Sequence, residues 1–298
     1  MNIFLTGATG FIGSYLRTML LRKGYLLTMV TRTPEKYENE TAQNQRFVSW
    51  DDDLVAEMEN TDVVINMAGS SIFGRRWTGK VKKDIYESRI ESTNTIVDAI
   101  KQAKNPPSVL ISVSAAGYYG DRGDMILDES SKAGDDFLAR LCVDWEAAAQ
   151  GVTEAGVRLA IPRFGVVLEQ NGGALQQMLP AFKLFVGGPV GSGDQYFPWI
   201  HVQDICRGIN FAIENEGLEG AFNLSAPNPV TMNQFADALA DKLNRPSLFR
   251  VPEFVLEFIF ADAAGPVVNS VRLQPKKIKQ HGFEFRYKHL DEALSEIF

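Results

Sequence analysis

Cysteine and histidine are scarce in this 298-residue chain, which holds two cysteines, Cys142 and Cys206, and three histidines. Two cysteines far apart provide neither a disulfide framework nor a zinc pattern, so no metal is expected and both read as small buried hydrophobes. Long apolar runs are also missing. None reaches the roughly 18 residues needed to cross a bilayer, and the longest, Phe254–Gly265, is interrupted by Glu257 and Asp262. Positive charge is in deficit, with 30 Lys+Arg against 37 Asp+Glu and a net charge of −7. Outside the short clusters Lys80–Lys83 and Lys276–Lys279 the basic residues are scattered, which is not the footprint of a nucleic-acid binder. The start Met1-Asn2-Ile3-Phe4-Leu5-Thr6-Gly7 runs straight into a glycine loop, without the basic and apolar regions of a secretory leader. These absences predict a cytoplasmic protein with no membrane or nucleic-acid partner.

What is present is a chain with 45% hydrophobic and 22% charged residues, long enough for one large domain or for a large domain with a smaller lobe. Short β-branched runs alternate with amphipathic stretches, the pattern of βαβ units and a parallel sheet. Strands are predicted at Ile3–Thr6, Leu26–Thr31, Phe47–Ser49, Val63–Asn66, Val109–Val113 and Val157–Pro162. Helices are predicted at Phe11–Lys23, which Gly24 stops, at Val81–Lys101 and at Phe137–Ala149, with loop and helix over the acidic Asp51–Glu59. Six parallel strands linked this way form an α/β, Rossmann-type doubly wound sheet. Beyond residue 168 the glycine-rich steps Gly172-Gly173, Gly187-Gly188-Pro189 and Gly191-Ser192-Gly193 change the rhythm around a helix at Ala174–Phe185. The expected division is a dinucleotide domain over 1–168, to which 199–225 returns through a helix at His201–Asn215, and a smaller discontinuous C-terminal α/β lobe over 169–298. Helices Thr231–Leu243, capped by Thr231 or Asn233, and Leu290–Phe298 belong to that lobe.

Gly7-Ala8-Thr9-Gly10-Phe11-Ile12-Gly13 follows the first strand and opens the first helix. Gly7 permits the tight turn, Gly10 lets the backbone approach a pyrophosphate, Gly13 lets the helix pack close to the sheet, and the helix N-terminus faces the anion. The Gly-x-x-Gly-x-x-Gly spacing resembles that of the extended short-chain dehydrogenase/reductase superfamily. Further motifs carry the resemblance along nearly the whole chain: Asn66-Met67-Ala68-Gly69, Tyr119-Gly120, Pro162-Arg163-Phe164-Gly165-Val166-Val167-Leu168 and Trp199-Ile200-His201-Val202-Gln203-Asp204. The segments Gly117–Asp124, Gly134–Leu138 and Gly282–Phe285 are similar to those of the branch called the epimerase family, whose name implies no substrate.

The resemblance implies a nicotinamide cofactor held by the glycine loop, by Met67, Ala68 and Gly69 after strand four, by Ser112, Val113 and Ser114 after strand five, and by Pro162 and Arg163 beside the nicotinamide. Asp51 stands where the superfamily contacts the adenine. Strand two ends Val30-Thr31-Arg32-Thr33. An acidic residue there would hold a ribose 2′-hydroxyl, whereas Arg32, helped by Thr31 and Thr33, suits the 2′-phosphate of NADP.

The superfamily's hydride transfer uses a tyrosine whose pKa is lowered by a lysine four residues on, with a nearby serine or threonine. No tyrosine here has that lysine: Tyr15, Tyr25, Tyr37, Tyr86, Tyr118, Tyr119, Tyr196 and Tyr287 are followed at i+4 by Met19, Met29, Thr41, Ile90, Arg122, Gly123, Ile200 and Asp291. Aligning on Glu146 puts Leu138 and Cys142 at the tyrosine and lysine positions, and counting back from Tyr119-Gly120 puts Ala115 at the serine position. Tyr118 and Ser114 are then the candidate catalytic residues; Tyr118 also reads as a residue that shapes the pocket. Arg75, Arg76, Trp77 and Lys80, ahead of Arg89, could hold an anionic or planar substrate or be a solvated face with one packing tryptophan. His201 reads as an interior histidine or a proton donor, Asp204 as a helix cap or dipole partner, and Trp199 as core.

The resulting expectation is an NADP-binding oxidoreductase or epimerase-like enzyme acting on a small molecule, as a monomer or a homodimer through helices Val81–Lys101 and Phe137–Ala149. Two alternatives stand beside it: an inactive NADP-binding sensor or scaffold, and an NAD-dependent nucleotide-sugar epimerase.

Overall fold

Side chains alternate across a strand, and the apolar runs divide accordingly between two helical layers. In strand β1 (Asn2–Thr6), Ile3 and Leu5 enter one core while Phe4 enters the other. In the computed structural model, which describes residues 1–74, 76–247, 249–250 and 268–298, β1 lies between β2 (Leu26–Thr31) and β4 (Val63–Asn66). Strand β3 (Gln45–Ser49) pairs outside β2, and β5 (Val109–Ser112) outside β4. The sheet continues through β8 (Arg158–Phe164) to β12 (Gly220–Leu224), all parallel, in the order β12-β8-β5-β4-β1-β2-β3. The strand order reverses between β1 and β4, the topological switch point at which α/β sheets bind ligands.

The Rossmann-type architecture agrees with expectation, and three details differ. A seventh parallel strand, β12, sits on the β8 edge. The fifth run breaks at Val113, whose N–H bonds Asn66 O, and resumes as β6 (Ser114–Ala115). Strand β8 runs on to Phe164 through Pro162. Proline lacks the N–H a central strand needs, but Pro162 falls between the residues paired with β5, Arg158 to Ala160, and those paired with β6, Arg163 and Phe164.

Helix α1 (Phe11–Arg22) and α6 (Val202–Glu214) pack on one face of the sheet. Helices α2 (Leu54–Met58), capped by Asp53, and α3 (Gly79–Gln102) cover the other, beside α4 (Phe137–Ala149). A third core gathers α5 (Gly173–Lys183), α7 (Met232–Leu243) and the terminal helix Leu290–Ile297 around Trp199 and Phe235. Thr231 caps α7 in a full capping box. Among the described residues no helix is long and apolar enough to cross a membrane. The apolar run 254–265 and Arg75 lie outside the described residues.

Candidate functional site

The glycine loop is shaped by close backbone approach. Gly7 has φ +70°, and a Cβ there would lie 2.6 Å from Met67 O; a Cβ on Gly13 would lie 2.0 Å from Gly7 O. Only glycine fits either position. Thr6 ties this loop to the next: its hydroxyl donates to Asn66 Oδ1 at 2.7 Å and accepts the N–H groups of Met67 and Ala68, both at 2.9 Å. The threonine ahead of the first glycine was the available signal for this bracing, which the motif reading passed over. Helix α1 starts at Gly10 with no side-chain cap, so its first N–H groups remain open to an anion. Thr9 is exposed, while Phe11 and Ile12 are half-buried, Phe11 against Gly172 and Gly173.

Arg32 stands exposed at the end of β2, and no described residue forms a hydrogen bond or ion pair with it. Thr33 N–H bonds Thr31 Oγ1 at 3.5 Å beside it. Asp51 is exposed just beyond β3, its N–H on Ser49 Oγ.

On the far side of the switch point the polar groups engage one another. Ser114 Oγ donates to Glu146 Oε1 at 2.7 Å, and both Glu146 oxygens accept from Arg163, through Nε and Nη2, each at 2.8 Å. Arg163 Nη1 donates to the Tyr119 hydroxyl at 3.0 Å, which donates to Asn223 Oδ1 at 2.6 Å. Asn223 continues to Gln274 O and, through its N–H, to Glu129. Burial opposes the Arg163 charge, but the Glu146 hydrogen bonds and Tyr119 outweigh it and hold its pKa above the usual arginine value. Burial pushes the Tyr119 hydroxyl up to about 12, so it is neutral at physiological pH. The ring of Tyr118 lies on the Arg163 guanidinium, 3.4 Å from Cζ to the ring centroid, and edge-on to Tyr119. No described residue hydrogen-bonds the Tyr118 hydroxyl. Ser112 Oγ is buried and unpartnered among the described residues.

Leu138 and Cys142 stand on α4 at the positions aligned with the missing pair. Leu138 packs beneath the loop carrying Tyr118: a Cβ on Gly117 would lie 3.2 Å from Leu138 Cβ. Burial pushes the Cys142 thiol up to about 11, so it is no nucleophile at neutral pH.

Among the described residues the cationic cluster after β4 does not assemble. Trp77 is buried with Ile85 and Leu141, meets Phe137 edge-on at 5.5 Å and donates Nε1–H to Ile72 O. Arg76 and Lys80 face solvent, while Arg89 turns back to Ser70 O and Ile85 O. Arg122 clamps its own loop through Tyr119 O, Lys132 O and Ala133 O. Asp204 is no cap: its buried carboxylate accepts the N–H groups of Arg286 and Tyr287 and pairs with Arg207. The cap of α6 is His201, whose Nδ1 accepts Gln203 N–H. It is interior, as one reading held, and burial pushes its pKa down to about 4. Trp199 is core. A concavity of about 640 Å³ lies at the opposite, amino-terminal end of β8 and β12, and its two cations, Arg158 and Lys277, are both engaged with backbone carbonyls.

Known proteins agree with this architecture. Residues 3–225 match the NAD dependent epimerase/dehydratase family, and residues 251–297 match a domain of unknown function, DUF1731. The epimerase family protein YfhF of Bacillus subtilis is 39% identical, covering 100% of this chain and 98% of that protein. The chloroplastic SDR39U1 homolog of Arabidopsis thaliana is 39% identical, covering 100% of this chain and 86% of that one. The crystal structure of human epimerase family protein SDR39U1 (isoform 2) with NADPH superimposes with a TM-score of 0.90 at 32% identity, over 100% of this chain and 99% of that one. A glycine cradle at the switch point and a family match over three-quarters of the sequence lead to one statement: the chain belongs to the NAD dependent epimerase/dehydratase family.

Proposed function

We propose that this protein is an NADP-dependent oxidoreductase or epimerase-like enzyme of the extended short-chain type, acting in the cytoplasm on a small molecule. The observation that carries the cofactor choice is Arg32, a cation without a described partner at the end of β2, where it suits a 2′-phosphate. The residues present fit the group. The backbone cradle at Gly7 and Gly13 is one that a Cβ would fill, and Ser112 Oγ is a buried hydroxyl without a described protein partner. The human relative's structure with NADPH supports the same reading. When bound, the nicotinamide supplies hydride chemistry.

The chain's own part is positional. The glycine loop and the start of α1 hold the pyrophosphate, and Arg32, Thr33 and Asp51 hold the adenylate end. Met67, Ala68 and Gly69 line the middle, while Ser112, Val113, Ser114, Pro162 and Arg163 flank the nicotinamide end. Tyr118 is the proton donor of this reading: no described residue engages its hydroxyl, and Arg163 fixes its ring. Ser114 supports that end through Glu146 rather than by a free hydroxyl.

Titration with NADPH and NADH tests the cofactor. The expected result is tighter NADPH binding that falls to the NADH value in Arg32→Ala, and binding of neither dinucleotide would overturn the reading. For the donor role, Tyr118→Phe should lower an NADPH-linked rate without weakening NADPH binding.

A second reading, an inactive NADP-binding sensor, is favoured by Leu138 and Cys142 at the catalytic positions and by Glu146 holding Ser114. A screen of carbonyl substrates that finds no turnover while NADPH binds would select it.

A further inference from the structure

Ten large apolar side chains are exposed among the described residues, and four of them gather at one place in the lobe. Leu184, Phe185 and Val186 follow α5 at 71%, 53% and 49% exposure, and Phe249 stands at 56%. The two segments touch: a Cβ on Gly188 would lie 2.4 Å from Phe249 O, and the Arg245 guanidinium covers the Phe185 ring at 4.6 Å. The backbone at Phe185 is strained. Val186 N–H bonds Ala181 O and Phe185 N–H bonds Phe182 O, the two bonds that close a Schellman helix end. That motif sets Phe185 at φ +64°, usual for glycine and unfavourable for a bulky side chain. Helix α7 ends with the same two bonds and Asn244 at φ +54°, a residue that tolerates it. Phe185 gains no burial in exchange for its strain, and such an outlier points to a contact outside the fold. The charge nearby is of one sign. Residues 242–250 hold Lys242, Arg245 and Arg250 and no acid, in a chain of net charge −7. Lys242 turns to Ser295 Oγ, whereas Arg245 and Arg250 pair with no described carboxylate. Three successive side chains on a reversing turn point in different directions, which makes a tip and not a groove. Apolar side chains beside unpaired cations are the composition that enters an anionic bilayer interface.

We propose that this tip docks the protein on an anionic lipid surface. Leu184, Phe185, Val186 and Phe249 enter the headgroup region, and Arg245 and Arg250 meet its phosphates. The sequence alone predicts no membrane partner because no apolar run is long enough to span, and the described helices agree. Interfacial docking needs no span. The inference is independent of the cofactor.

Cosedimentation with vesicles tests it, using phosphatidylcholine mixed with phosphatidylglycerol against phosphatidylcholine alone. Phe185→Gly is the informative variant, because glycine relieves the strained φ while removing the ring. Its melting midpoint should hold or rise, while its affinity for the mixed vesicles falls about tenfold, the value of one aromatic ring withdrawn from water. Replacing both cations, Arg245→Gln with Arg250→Gln, should weaken the mixed vesicles by about tenfold or more. Wild-type protein should bind phosphatidylcholine alone no better than that double variant binds the mixture. The proposal is overturned if wild-type protein stays in solution with the mixed vesicles, if Phe185→Gly binds them like the wild type, or if both vesicle kinds bind equally. A wild-type dimer that binds no vesicle and that Phe185→Gly turns into a monomer would overturn it in favour of a contact between copies.

Discussion

The two ends of the crevice at the switch point are built on opposite principles. At the adenylate end the polar groups stand open: Arg32 is exposed, α1 begins uncapped, and the loop is shaped by what glycine lacks. At the other end most polar groups answer one another, in a chain from Ser114 through Glu146, Arg163 and Tyr119 to Asn223, beside the Ser112 and Tyr118 hydroxyls that no described residue engages. Open donors are ready for a ligand that varies little, while a closed network holds a surface in one shape. The difference separates recognition of the cofactor, read from backbone and one cation, from the reaction end, where side chains are chiefly engaged in holding one another.

The sharpest way to break this contrast is at Glu146. Glu146→Ala leaves the buried Arg163 guanidinium unpaired and should cost about 3–5 kcal/mol, read by urea denaturation. A loss below 1 kcal/mol would mean that the network is no more than a surface pair. Gly13→Ala comes next. Its Cβ meets the backbone of Gly7 and Ala8, so overpacking should cost about 1–3 kcal/mol and NADPH binding should fall with it in titration. Arg32→Ala should leave the melting midpoint unchanged while weakening NADPH about tenfold relative to NADH, because no described residue bonds that side chain.

A smaller effect concerns His201, whose ring Tyr287 meets at a tilt, 4.1 Å between centroids, and which Asp204, Glu296 and Arg286 surround electrostatically. Its folded pKa of about 4 lies below the unfolded value near 6.5, so the unfolded chain binds the extra proton first. Stability from this group is present above pH 6.5 and is lost as pH falls toward 4. His201→Asn should flatten the fall of the melting midpoint across that window, and an unchanged slope would assign the fall to carboxylates. Smallest of all, Tyr118→Phe should shift the midpoint by less than about 0.5 kcal/mol equivalent, since its hydroxyl bonds no described residue.

Legibility in the sequence follows the range of the interaction. The strands, the helices and the glycine loop were readable because their signals are periodic or local: Thr231 with Gln234, or Gly7 with Gly10. Strand β12 was harder, because its short run Gly220-Ala221-Phe222-Asn223-Leu224 declares no alternation, and only β8 beside it makes it a strand. Nothing near Arg163 in sequence announces its partner Glu146, 17 residues away. Trp77 and Arg76 are adjacent in sequence, yet one enters the core and the other faces water. The hydrogen bond of Arg89 is hidden for the same reason: the Ser70 carbonyl it reaches is 19 residues upstream.

Asp204 has a consequence for how the chain is made. Its carboxylate is fully buried in the first turn of α6, and two of its hydrogen-bond donors are backbone groups 82 and 83 residues later. During vectorial synthesis α6 and β12 leave the ribosome well before residues 286 and 287 exist. Until then the carboxylate has Arg207 of its own helix but lacks those two donors, so it must stay in water, and the helix that carries it cannot settle fully against the sheet. The parallel sheet is therefore sealed late, and a nascent chain halted before residue 286 should remain open to proteases at α6.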